Sequence, residues 1–283
     1  NKKEDLKNYL NLCKTENLFY FKNKKFIDLI STYLKLNKNP KKNQIKFSKN
    51  SKKIEDNSVN NNYFDEYVRG KRIAILGPLT TKKDILEKYK LYDILVYTSA
   101  NSKRKVLIPN YPSISYYNAG QVKNDKEDII HYLTNLKFAV FKKEASFRSI
   151  KSLLDKKDHY KLRLLTNFNN GGCKHLLFGK SNPNSIQNII FDLIHFDVKS
   201  ITLFGVTAYA SRTKHRKNYL RKEKLYRPFE FSMRNHEPLS NFNLLKNFFN
   251  NKFIEIDENT CSPLLYDEEY YSMKLDEIYC PQN

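Results

Sequence analysis

Two hydrophobic spacings alternate along most of this chain. Short apolar runs at Arg72–Leu76, Asp93–Tyr97, Phe138–Phe141, Ser200–Phe204 and Phe253–Ile256 predict strands, and a weaker run at Val106–Ile108 predicts one more. Between them, residues 82–89, 125–136, 144–155, 185–196 and 240–249 carry apolar positions at helical spacing. Strands alternating with helices of about 10 residues predict an α/β fold, a Rossmann-like and mostly parallel sheet with helices on both faces. Residues 156–182, with Asn169-Asn170-Gly171-Gly172, read as loop.

The first 62 residues are different. Leu6, Tyr9, Leu10 and Leu12 form one helical stripe, and Phe26, Leu29, Ile30, Tyr33, Leu34 and Leu36 a second. Residues 37–62 are polar and rich in Asn and Lys, with no period, and predict a connection. The chain therefore divides into a helical N-terminal segment and polar linker over 1–62 and an α/β domain over 63–283.

Composition adds bounds. At 283 residues the chain can bury a large core. No run is long and apolar enough for a membrane span, and no signal-peptide pattern opens the sequence. Cys13, Cys173, Cys261 and Cys280 lie far apart without ligand spacing, which argues against structural zinc or a disulfide framework and for a reducing, cytoplasmic compartment. A formal net charge of +21 favours anionic partners such as nucleotides, phosphorylated substrates or an anionic membrane surface. A Lys- and Asn-rich background explains the charge equally well, and no nucleic-acid-binding module or Arg-rich stripe is present, so no specific nucleic acid is expected.

Candidate chemistry sits at the ends of strands. In open α/β sheets, ligands bind outside the carboxyl ends of the strands. Arg72–Leu76 ends on Gly77-Pro78, where the backbone can approach a ligand and the next helix offers its positive end to a phosphate; a plain tight turn is the alternative. Neither GxGxxG nor a Walker A loop is present. Asn184 and Ser185 open a helix, as caps or as phosphate contacts. Ser200–Phe204 ends on Gly205 and leads through Tyr209 into a basic stretch containing Arg212 and Arg216, placed to neutralise a departing phosphate. His236 precedes Glu237-Pro238 and a helix, and is the candidate general base. No metal ligand set is predicted.

In that order, Gly77-Pro78, the strand Tyr92–Val96, Ser185, Ile201–Gly205 with Tyr209, and His236 resemble the bacterial sialyltransferases of glycosyltransferase family 42, over roughly residues 70–265. The resemblance is one of motif order, and it extends more distantly to the sialyl-motif enzymes of animals. It implies that Gly77, Pro78 and Ser185 bind a CMP-sugar donor and that Tyr209 contacts the donor phosphate. It also implies that His236 activates an acceptor hydroxyl for inverting, metal-independent transfer to a surface polysaccharide or glycolipid. Leu76 and Thr98 stand where the family usually keeps asparagine, which leaves the donor open among CMP-sialic acid, another CMP-ulosonic acid and a different activated sugar. A phosphoribosyl-transferring or other phosphosugar- or nucleotide-binding α/β enzyme is the alternative. Localisation is expected in the cytoplasm, with peripheral attachment to the inner membrane where anionic lipid attracts the basic chain.

Overall fold

The structure, a computed structural model, describes residues 55–100, 108–165, 183–194, 196–211, 236 and 238–279. Seven strands form one all-parallel sheet: β1 (Arg72–Leu76), β2 (Ile94–Tyr97), β3 (Ser113–Tyr117), β4 (Phe138–Phe141), β5 (Leu162–Leu164), β6 (Ser200–Phe204) and β7 (Glu255–Ile256). Their order across the sheet is β5-β4-β3-β2-β1-β6-β7. The chain thus builds outward from β1 to one edge, then returns to β1's other side. The topological switch point lies between β1 and β6.

Residues on the two faces of each strand enter different cores. Ile73, Ile75, Ile94, Val96, Ile201 and Leu203 pack with helices α1 (Glu55–Val68), α6 (Ser185–Ile194), α7 (Pro238–Asn250) and α9 (Glu268–Tyr279). Ala74, Leu76, Leu95, Tyr97 and Phe204 pack on the other face with α2 (Lys82–Leu86), α3 (Ala119–Asn124), α4 (Lys126–Leu133) and α5 (Glu144–Lys151). With both faces covered, the central strands are apolar almost without interruption, which is why they were readable as continuous runs. The fold is the expected Rossmann-like α/β arrangement.

Four differences from the sequence reading have physical causes. Helix α1 runs through residues 55–68, so the end of the 37–62 connection is helix and the 62/63 division falls inside it. Phe64 and Val68 of this helix are fully buried, and tertiary packing outweighs the poor helix propensity of its asparagines. The third strand is Ser113–Tyr117; Ile108 belongs to no strand, and 106–107 lie outside the described residues. Within 156–165, Lys156–Lys161 is a short 3-10 helix and Leu162–Leu164 is the edge strand β5. Beyond the last expected strand come α8 (Glu258–Cys261), the 3-10 turn Ser262–Leu265, and α9. The two helices expected over 1–36 lie outside the described residues.

Among the described residues, the core contains one fully buried ion pair. Arg163 of β5 donates to both carboxylate oxygens of Asp192 on α6, at 2.5 and 2.7 Å, and through Nε to Asn61 on α1 at 2.7 Å. Its guanidinium lies 4.3 Å from the Phe64 ring centroid and 4.8 Å from that of Phe196. Tyr116 of β3 donates to the same carboxylate at 2.5 Å, and burial holds its phenol well above the ordinary tyrosine range. This network ties α1, β3, β5 and α6 together with every guanidinium nitrogen used.

Candidate functional site

At the switch point the loops after β1 and β6 are packed against one another. A Cβ on Gly77 would stand 2.5 Å from the Gly205 carbonyl oxygen and 2.6 Å from that of Phe204. One on Gly205, which has φ of +61°, would stand 2.2 Å from the Thr80 nitrogen. Both glycines are therefore required by chain against chain. Gly77, Leu79 and Thr80 donate their N–H groups to Phe204, Gly205 and Gly77, and Thr81 donates to Asp84 at 2.6 Å. Pro78 has no N–H. The N–H groups of the Gly77–Thr81 turn are thus bonded within the chain, as in the tight-turn alternative.

On the other side, α8 closes the crevice. Gly205 N–H donates to Thr260 Oγ1 at 3.0 Å and Val206 N–H to Cys261 Sγ at 3.4 Å. The Cys261 thiol donates to the Leu203 carbonyl at 3.3 Å, and burial pushes its pKa up to about 11. A thiol held protonated is a poor nucleophile. Asp257 accepts from Thr260 and from Lys88, which reaches across from the α2 side.

Beyond Gly205 the chain turns tightly. Ala210 N–H donates to the Thr207 carbonyl at 2.9 Å, and the two central residues, Ala208 and Tyr209, have φ of +48° and +75°. Two consecutive non-glycine residues in the left-handed region store strain and need a rigid surround. Tyr271 of α9 supplies it. Fully buried and stacked on Phe242 at a centroid distance of 3.8 Å, Tyr271 donates its hydroxyl to the Ala208 carbonyl and also lies 3.3 Å from the Pro238 carbonyl. One hydroxyl thereby brings the Tyr209 turn against the first residue of α7, two positions after His236. Tyr209 is 7% exposed and His236 half-buried.

The start of α7 also meets the start of α6. Asn241 accepts from Asn184 N–H at 3.2 Å, and its carbonyl accepts from Gln187 Nε2 at 3.1 Å. Asn184 caps α6, its side-chain oxygen accepting from Ile186 N–H at 2.9 Å and Gln187 N–H at 3.4 Å. Asn188 donates to the Pro183 and Asn184 carbonyls. The oxygens Gln187 Oε1 and Asn188 Oδ1 are buried and reach no donor among the described residues. Capping thus occupies the Asn184 Oδ1, while Ser185 faces a residue that sequence reasoning missed: Lys142, just past the carboxyl end of β4, donates to Ser185 Oγ at 3.1 Å. Desolvation alone pushes the Lys142 pKa down to about 8. Alternation along β4 was the available signal. Phe141 faces the α2–α5 core, so the next residue faces α6.

The carboxyl edge of the sheet therefore brings Lys142, Ser185, the α7 start with His236, and the Tyr209 turn into one connected series. Gly77, Pro78 and Gly205 lie at the switch point beside it. Arg212 and Arg216 lie outside the described residues. Among the described residues no cluster of three acidic, His or Cys side chains is placed to hold a metal ion, and no helix is long and apolar enough to cross a membrane. Comparison of the chain with protein-family models, curated proteins and solved structures finds no match in any of the three.

Proposed function

We propose that this protein is a glycosyltransferase that moves a sugar from a nucleotide-activated, CMP-type donor to a hydroxyl of a surface polysaccharide or glycolipid. The observation that carries the reading is the shared Tyr271 hydroxyl, which joins the strained Tyr209 turn to the segment carrying His236 at the carboxyl edge of the sheet. That edge is where α/β folds bind nucleotides. In this reading His236 takes the acceptor proton as the hydroxyl attacks the anomeric carbon with inversion. Tyr209, with Arg212 or Arg216, stabilises the departing nucleotide phosphate. The packed Gly77–Gly205 contact fixes the floor beneath them. The excess of basic residues supports attraction to an anionic membrane or phosphorylated acceptor.

The test is nucleotide release from CMP-linked donors, with and without added acceptor. Wild-type protein is expected to turn over in the presence of chelator, and His236→Ala to lose about 10²–10⁴-fold in kcat while keeping its thermal midpoint. Normal turnover by folded His236→Ala would overturn the base assignment. Activity abolished by chelator would move the reading to a metal-dependent phosphoribosyl transfer.

A further inference from the structure

The turn after β6 is held in an arrangement that its own residues disfavour. Ala208 and Tyr209 occupy its two central positions with φ of +48° and +75°, and Ala210 N–H closes it onto the Thr207 carbonyl at 2.9 Å. Glycine and asparagine adopt turns of this hand readily. A residue with a larger side chain is strained at either position, and here two follow one another. The chain leading in is fixed from α8, through Gly205 N–H to Thr260 and Val206 N–H to Cys261. Any relaxation is therefore confined to Thr207–Ala210.

One hydroxyl holds the turn. Tyr271 is fully buried and lies flat on Phe242, with the ring planes 6° apart, so its ring is not free to follow the turn. Two carbonyls stand within reach of its O–H: that of Ala208, to which it donates, and that of Pro238 at 3.3 Å. A hydroxyl has a single hydrogen, so these two acceptors compete for it. Tyr209 meanwhile is 7% exposed. A side chain so enclosed presents little surface to a phosphate, although the role proposed above requires that contact.

We propose that Tyr271 is a positioning residue with two settings. In the first, which the structure shows, its hydroxyl is given to the Ala208 carbonyl, the turn is strained and Tyr209 is enclosed. In the second, the hydroxyl passes to the Pro238 carbonyl. Ala208 and Tyr209 then return to right-handed φ, and the Tyr209 ring moves out to the carboxyl edge of the sheet. The hydroxyl keeps an acceptor throughout, and the strain released offsets the burial lost by Tyr209. A ligand that bonds Tyr209 selects the second setting. Pro238 lies two residues after His236, so the same transfer ties the His236 segment more firmly when the donor side is loaded. That link to catalysis rests on the roles proposed for Tyr209 and His236; the two settings do not.

The experiment is fluorine NMR of the full chain labelled with fluorotyrosine. The Tyr209 resonance is assigned by its loss in Tyr209→Phe, and its shift between H₂O and D₂O reports exposure. Wild type should show an enclosed Tyr209. Tyr271→Phe keeps the ring on Phe242 and removes the hydroxyl, so the ratio of exposed to enclosed Tyr209 should rise about three- to tenfold. Ala208→Gly relieves strain and should leave Tyr209 enclosed. Combining it with Tyr271→Phe should restore much of the enclosed signal, a rescue that lost packing would not give. The His236 ring resonance should move in Tyr271→Phe while those of His131 and His159 hold. Finally, CMP added to wild type should shift Tyr209 in the same direction as Tyr271→Phe.

An unchanged Tyr209 signal in Tyr271→Phe, or a double variant as exposed as the single one, would overturn the two settings. An unmoved His236 resonance would overturn the tie to the His236 segment. If the variants respond and CMP does not, the two settings stand and the donor contact assigned to Tyr209 falls.

Discussion

Helix α6 meets a strand cation at each end, and the two are treated oppositely. Near its C-terminus, Asp192 receives Arg163, whose guanidinium is fully enclosed, bonded twice to the carboxylate and once to Asn61, and sandwiched by Phe64 and Phe196. At its N-terminus, Ser185 receives Lys142, whose ammonium has one neutral partner and no carboxylate among the described residues. Arg163 sits in a closed network that completes itself. Lys142 sits at the carboxyl edge of the sheet, outside any such network. A fold that supplies a full set of partners to one buried cation shows what it can do for a structural charge.

The largest effect should come from breaking the closed end. Arg163→Met leaves Asp192 buried as a carboxylate with only the Tyr116 hydroxyl donating to it. Removing one member of a buried pair costs about 3–5 kcal/mol, a large part of the stability of a typical domain. Denaturant unfolding measures it directly. Adding Asp192→Leu to the same protein should return much of the loss, because the orphaned charge is then gone. If Arg163→Met alone costs under about 1 kcal/mol, the contrast between the two ends of α6 is lost.

How far the sequence disclosed these features depends on what each side chain faces. β1, β4 and β6 carry continuous apolar runs because both sheet faces are covered, and their bounds were legible to the residue. β3 was not, since Ser113 and Ser115 look like loop residues in sequence yet are buried, their hydroxyls bonded to the Tyr111 carbonyl and the Ala100 N–H. β5 hid for a related reason: its central residue is Arg163, and only the tertiary partners Asp192 and Asn61 make that position interior. At the candidate site, the order of strand-end motifs pointed to Ser185, the Tyr209 turn and the His236 segment, which the fold places along the carboxyl edge of the sheet. Lys142 stayed invisible, because one lysine among 51 basic residues has no periodicity, and its isolation from carboxylates exists only in three dimensions.

The open end should respond in the other direction, and more weakly. In the absence of anions, Lys142→Met is expected to stabilise the protein by about 1–2 kcal/mol at neutral pH. Its pKa, pushed down to about 8 from 10.5, fixes the pH dependence. Between those values the unfolded chain keeps a proton that the folded chain has released, so the Lys142 contribution to stability rises with pH across that window. Below pH about 8 both states are protonated and the full penalty remains. Unfolding measured from pH 7 to 10.5 should therefore show wild type and Lys142→Met converging at the alkaline end. A gap constant over the whole range would mean that the methionine acts through packing and not through charge.

The smallest effect separates two roles that one asparagine was offered by the sequence, capping and ligand contact. Asn184 accepts through Oδ1 from the N–H groups of Ile186 and Gln187, which assigns that oxygen to the cap. Asn184→Ala should cost about 1 kcal/mol, the ordinary value of an N-cap. It also frees two backbone donors beside Ser185, at the end of the helix that attracts negative charge. Denaturant unfolding measures the loss. Asn184→Asp keeps an oxygen in the capping position and should retain most of the stability; a loss as large as that of Asn184→Ala would mean that the side-chain oxygen does not cap α6.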